Sequence, residues 1–278
     1  MDRTRIMVVG CGKMGGSLLS GWLDDGLPKE DVCVVEANPE TRASWAGRGL
    51  AAVAEAAQAP GGFVPDAILI AVKPQSLAAA LPPVVAAVKA RCGARLPLVL
   101  TIVAGKPISA FEAAFGPGAP VLRVMPNTPA AVREGVSGAF ANPAVSPGQR
   151  ALGERLLAAV SRVVWLTSED QIHAVTALSG SGPAYVFHLV EAMAEAGEAL
   201  GLSPDVAMAL ARGTVVGSGA LLKRSPETAA ALRIAVTSPG GTTAAALGVL
   251  MAEGDAGLSA MMTRAMEAAA RRSRELAG

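Results

Sequence analysis

The chain has 278 residues, 51% of them hydrophobic and 17% charged, with a formal net charge of +1. That supplies core enough for one large or two ordinary domains and excludes a disordered chain. A near-zero charge without a long basic run points away from nucleic acid and from membrane surfaces as partners. Cys11, Cys33 and Cys92 are widely spaced and form no CxxC pair. Neither a disulfide framework nor a zinc site is expected, no metal cluster stands out, and a reducing cytoplasm suits them. The opening MDRTRIMVVG enters a short apolar run without the longer core of a signal peptide. No apolar stretch is expected to reach the ~20 uninterrupted residues of a membrane span.

In chain order, the first half alternates short apolar runs with helical patterns. The predicted strands are RIMVV (5–9), VCVVE (32–36), AILIAV (67–72), LVLTIV (98–103) and VLRVM (121–125). Between them lie MGGSLLSGWLDDG, PETRASWAGRG and QSLAAALPPVVAAVKAR, all helix-like. Continuous apolar runs, rather than alternating ones, are expected of parallel strands covered on both faces. The order argues for a doubly wound α/β domain. GVSGAF (135–140) and RVVWL (162–166) flank the helix PGQRALGERLLAAV and are expected to close the sheet.

After Leu166 the strand signals stop, which puts the domain boundary there: 1–166 and 167–278. TSEDQIHAVTAL opens with Thr167 or Ser168 as N-cap. The rest reads as helices broken by SGSGP, GLSP, RSPE, TSPGG and EGDAG. PDVAMALARGTVVGSGALL is apolar or small on nearly every face, so it needs burial on all sides. A domain of about a hundred residues rarely provides that alone, and a subunit interface would.

Gly10, Gly12 and Gly15 form G-x-G-x-x-G directly after the first strand. In that context the first glycine allows the turn and the second lets a pyrophosphate approach the backbone. The third allows the helix to pack close, with its N-terminus facing the anion. Glu36 ends the second strand, where a carboxylate bonds a ribose 2′-hydroxyl and repels a 2′-phosphate. Arg42 is the nearest cation that could offset it, but it lies inside the following helix. Lys73-Pro74-Gln75 and MPNTP (125–129) follow two further strands, at the edge where open α/β sheets bind ligands.

TSPGGTT (237–243) places four hydroxyls, one proline and two glycines ahead of the helix AAALGVLMAEG, which has nothing else to cap it. Its first-turn amides lack partners and suit a small carboxylate, aided by Ser238, Thr242 and Thr243.

GCGKMGG, AVKPQ (71–75), RVMPNTP (123–129), SGSGPAYVF (179–187) and VTSPGGTT (236–243) together resemble the pyrroline-5-carboxylate reductase family, in order and spacing, over nearly the whole length. The resemblance implies reduction of L-1-pyrroline-5-carboxylate to L-proline with NADPH or NADH. It implies an N-terminal Rossmann domain with a mostly parallel sheet and an all-α C-terminal domain that interlocks with a second subunit. Dimers are implied, and in some members decamers of five dimers. By resemblance Gly10, Cys11, Gly12, Lys13, Met14 and Gly15 hold the pyrophosphate, with Glu36 and Asn38 toward the ribose. Ala71, Val72, Lys73, Pro74, Met125 and Asn127 line the nicotinamide end. Ser238, Gly240, Gly241, Thr242 and Thr243 receive the substrate carboxylate, and Thr243 lies near the ring nitrogen as the catalytic group. Many relatives carry Asn-Arg, or a Ser/Thr-rich stretch, after the second strand to hold the NADPH phosphate. Asn38-Pro39, preceded by Glu36, departs from that and leaves both nucleotides open.

The chemistry asks for little more. An alcohol dehydrogenase needs a general base, whereas a protonated cyclic imine is already electrophilic. His188 and Tyr185 read as packing residues and His173 as a surface helix residue. Two other readings remain at this point: a 3-hydroxyacid dehydrogenase, and a non-catalytic dinucleotide-sensing dimer. The first would need a lysine that SGPAYVFHLVEAMAEAGEAL lacks; the second would not need TSPGGTT.

Overall fold

The computed structural model describes residues 4–277; Met1 to Arg3 of the opening stretch lie outside the described residues. Four apolar runs become fully buried strands: β1 (Ile6–Val9), β2 (Val32–Val35), β4 (Ala67–Ile70) and β5 (Leu98–Thr101). With β3 (Ala51–Val53), β6 (Val121–Met125), β7 (Gly135–Ala141) and β8 (Ser161–Trp165) they form one sheet in the order 3-2-1-4-5-6-7-8. All neighbours are parallel except β6 and β7.

Strand side chains alternate between two faces, and each face has its own core. Ile6, Val8, Val34 and Leu69 pack with Leu18 and Trp22 of α1 (Lys13–Asp24) and Leu156 and Leu157 of α5 (Pro147–Ala158). Met7, Val9, Ile68 and Ile70 pack with Leu81 and Val88 of α3 (Leu77–Cys92) and Phe111 and Phe115 of α4 (Ile108–Phe115). Between β2 and β3 runs α2 (Pro39–Gly47). Burial of both faces is what makes the strand sequences continuous rather than alternating.

Packing carries the first compact unit past the last strand, to Gly180, and brings it back from Ala270; Ser181–Ala269 form the second unit. Strand signals end near residue 166, but α6 (Gln171–Val175) packs on β6 and β7. The helix starts later than the expected caps Thr167 and Ser168, whose amides instead donate to Oε1 of Gln171. Buried Arg123 pairs with Glu169, which also accepts the Ile108 N–H at 2.8 Å. His173 is not a surface residue. It is buried, and its Nδ1 lies 2.9 Å from the Ser273 hydroxyl at the end of α11 (Leu258–Glu275). Burial, with Arg123 next, lowers its pKa and favours the neutral ring.

The second unit contains α7 (Gly182–Ala199), α8 (Pro204–Arg224), α9 (Ala229–Ala235) and α10 (Thr242–Leu250). Its internal core is small: Ala194, Ala207 and Ala211 are buried between α7 and α8. Val206, Leu210, Val216 and Leu221 of α8 stay exposed in the single chain. By length and composition alone, α8 is apolar enough to cross a membrane. Asp205 and Arg212 interrupt its apolar run, however, so it is not a stretch of ~20 uninterrupted apolar residues. Exposed apolar area of this extent marks an interaction face.

Gly21 of α1 is fixed by packing, because a Cβ there would lie 1.9 Å from Cγ1 of Val160, a stiff β-branched side chain. Gly21→Ala is expected to destabilise the protein by about 1–3 kcal/mol, beyond the ~1 kcal/mol helix-propensity gain. A denaturant midpoint at or above that of the parent would contradict this packing.

Candidate active site

β1 pairs with β2 on one side and β4 on the other, so the strand order reverses at β1. A crevice opens beyond the C-terminal ends at such a switch point, and the glycine loop lies in it. Gly10 has φ +82°, and a Cβ there would meet the Val72 nitrogen at 2.9 Å. A Cβ on Gly15 would come within 2.5 Å of the Gly10 carbonyl oxygen. Both glycines are therefore demanded by the fold itself. Gly12 is not: its φ is −71° and a Cβ would meet nothing within 4 Å. The space in front of Gly12 is kept open outside the protein's own packing. Gly12 is also the N-cap of α1, and no side chain bonds the first-turn amides. An open cradle in front of unpaired N–H groups fits a dinucleotide pyrophosphate.

Glu36 is half-buried at the end of β2. Its Oε2 accepts the Cys11 N–H at 2.7 Å and its Oε1 accepts the Asn38 N–H at 2.9 Å. One carboxylate thus ties the glycine loop to the β2–α2 turn. Each oxygen keeps a lone pair for a ribose hydroxyl. The Cys11 thiol is pushed up to about 12 by burial and then by the Glu36 charge, so it stays neutral beside the anion site.

A cleft of about 670 Å³ brings together Gly10, Gly12, Glu36, Asn38, Ala71, Val72 and Lys73. The other residues of this unit selected from the sequence are not on its wall. Cys11 and Gly15 are buried, Met14 packs on the core, and Pro74 begins the single turn after Lys73. Lys13 lines a separate depression with Arg48 and Asp24. Met125 abuts Gly180, where a Cβ would stand 2.5 Å from the Met125 Cε. Asn127 is buried, and its Oδ1 accepts the Val136 N–H at 2.9 Å, which fixes the loop after β6.

Sequence reasoning missed Thr41 on the cleft wall; Arg42 lies inside α2, as expected, but its side-chain contacts were not foreseen. From the first turn of α2, Arg42 reaches back to donate from Nη1 to the Glu36 and Ala37 carbonyls at 2.9 and 3.1 Å. The signal was present in Asn38-Pro39-x-Thr41: Asn38 Oδ1 accepts the Thr41 N–H at 2.8 Å, which turns the helix back over the strand end.

In the second unit, α10 starts from Gly241, again with no side-chain cap. Gly240 has φ +68°, and Gly241 N–H donates to the Ser238 carbonyl at 3.0 Å. The Thr237 hydroxyl is spent on the Arg233 carbonyl at 2.6 Å. Those of Ser238, Thr242 and Thr243 have no protein partner among the described residues. Ser238, Gly240 and Thr242 are exposed, while Gly241 and Thr243 are half-buried.

Residues 169–276 match the family model for pyrroline-5-carboxylate reductase dimerisation, and residues 5–91 match NADP oxidoreductase, coenzyme F420-dependent. A pyrroline-5-carboxylate reductase of Pseudomonas aeruginosa is 40% identical over 277 residues, spanning 100% of this chain and 98% of its own. The chain belongs to the pyrroline-5-carboxylate reductase family. The solved reductase of Coxiella burnetii superposes with a TM-score of 0.91 at 33% identity, covering 100% of both chains. That of Plasmodium falciparum, solved with NADP bound, gives 0.79 at 26% identity and covers 100% of both. A 3-hydroxyacid dehydrogenase is not favoured, and α7 carries no lysine to serve one.

Gly12→Ala separates the reductase's scaffold from its ligand site. The melting temperature is expected to stay near the parent's, while the KM for the nucleotide rises about tenfold or more from lost pyrophosphate contacts. Equal nucleotide KM values would mean that the pyrophosphate does not approach Gly12.

Proposed function

We propose that the chain reduces L-1-pyrroline-5-carboxylate to L-proline with NADH or NADPH, the last step of proline biosynthesis, as a cytoplasmic homo-oligomer. The observation that carries the substrate assignment is the α10 N-terminus: glycine-capped, lacking a side chain on its first-turn amides, and flanked by unused hydroxyls. In this reading residues 1–166 serve the nucleotide, and residues 167–278 serve the substrate and the dimer. The exposed faces of α7 and α8 meet a second copy to form a dimer, the unit from which a decamer would be built. Neither nucleic acid nor membrane is a partner.

When bound, the dinucleotide supplies a hydride from its nicotinamide ring. The chain's own residues hold and orient. Amides at the start of α1 neutralise the pyrophosphate, and Glu36 accepts from the ribose. Ala71 to Pro74, with Met125 and Asn127, border the nicotinamide end. Amides of Thr242 and Thr243, with the hydroxyls of Ser238 and Thr242, grip the substrate carboxylate, while the Gly241 amide closes the turn on Ser238. The protonated ring nitrogen donates to Thr243 Oγ1, which orients the C=N bond for attack. Hydride addition at that carbon discharges the iminium to a neutral amine, so no protein base has to remove a proton. Solvent then protonates proline.

Purified protein given pyrroline-5-carboxylate is expected to oxidise NADH or NADPH and release proline. Absence of turnover with both nucleotides, from a folded dimer, would defeat the proposal. Thr243→Ala is expected to lower kcat about tenfold or more while nucleotide KM stays within about twofold. The reverse pattern would remove Thr243 from the substrate site.

A further inference from the structure

The β2–α2 turn carries two opposite charges that do not neutralise each other directly. Glu36 has both carboxylate oxygens on backbone amides, those of Cys11 and Asn38. Arg42 has Nη1 on the Glu36 and Ala37 carbonyls, and its side chain makes no ion pair with Glu36 among the described residues. The remaining donors, Nε and Nη2, have no protein partner among the described residues.

A phosphate on the ribose 2′ position would meet this turn, and the backbone there has little to offer it. The Asn38 N–H is taken by Glu36, and Pro39 has none. The Thr41 N–H is taken by Asn38 Oδ1, and the Arg42 N–H by the Asn38 carbonyl at 3.0 Å. Glu36 cannot swing aside cheaply, because doing so would strand the N–H of buried Cys11. The carboxylate is thus a fixed repulsive element, and any acceptance of a 2′-phosphate needs a cation within reach. Arg42 is that cation: its backbone tether aims a guanidinium fork with free donors at the strand end.

Resting on the reductase reading, we infer that Arg42 is the specificity-determining residue through which this chain accepts NADPH, while Glu36 serves NADH. The role usually given to residues at the strand end has moved here into the first turn of the helix. NADH use is then independent of Arg42, and NADPH use depends on it.

The test compares both nucleotides in the parent enzyme and in Arg42→Ala. The KM for NADPH is expected to rise about tenfold and that for NADH to stay within about twofold. In the parent, NADPH KM should climb more steeply with ionic strength than NADH KM; in the variant the two salt dependences should coincide. Arg42→Gln keeps a donor for the two carbonyls but not the charge. It is expected to behave as Arg42→Ala does, which keeps the test decisive if the alanine variant fails to fold. Parallel rises for both nucleotides would show that Arg42 only braces the turn, and an unchanged NADPH KM would overturn the inference. A parent enzyme inactive with both nucleotides would instead refute the reductase reading.

Discussion

Helices α1 and α10 start from glycine N-caps, Gly12 and Gly241, with no side chain satisfying their first amides. Asn38 on α2, Ser146 on α5 and Thr228 on α9 do bond a first-turn amide, whereas the N-cap side chains of α3, α4, α6, α7 and α8 do not. What sets Gly12 and Gly241 apart is that they leave the space before the amides open. A glycine N-cap forgoes only a few tenths of a kcal/mol of capping stability, yet it leaves first-turn N–H groups and their partial positive charge facing outward. That arrangement costs the fold little and suits an anion. The reductase chemistry requires two anionic groups to be held, a pyrophosphate and a carboxylate, and each of the two ends suits one.

The first end is built with more constraint than the second. Gly10 and Gly15 are dictated by a left-handed turn and by helix–strand contact, so the loop exists before any ligand arrives. Glu36 then fastens the loop to the next strand through the Cys11 amide. The same bond places a negative charge beside the ribose end, which explains why burial and charge together keep the Cys11 thiol protonated. The reacting imine needs no base, and this accounts for the sparse titratable chemistry. Buried His173 is held neutral in a structural contact with Ser273, and exposed His188 pairs with Glu191.

Much of the sheet was legible because doubly buried parallel strands write themselves as unbroken apolar runs. β3 was missed: Ala51–Val53 is three residues long and only half-buried, so it leaves no run to read. α4 was missed for a related reason, since ISAFEAAF is short and follows a strand without a cap residue of its own; Glu169, far along the chain, bonds its first amide. The burial of His173 and the return of residues from Ala270 to the first unit depend on contacts a hundred positions apart, invisible to local pattern. Locally, the glycine turns were readable because backbone geometry dictates Gly10 and Gly15 after β1 and Gly240 in TSPGGTT. Arg42 was not, because its reach depends on the rotation of α2 set by the Asn38 cap.

The central claim is that the uncapped start of α10 is the carboxylate receptor. It is tested most directly by a crystal structure of the enzyme with proline bound. The account predicts the proline carboxylate within hydrogen-bond distance, about 3 Å, of the Thr242 and Thr243 amides, with the ring nitrogen beside Thr243 Oγ1. An ordered proline whose carboxylate is held anywhere else would contradict it.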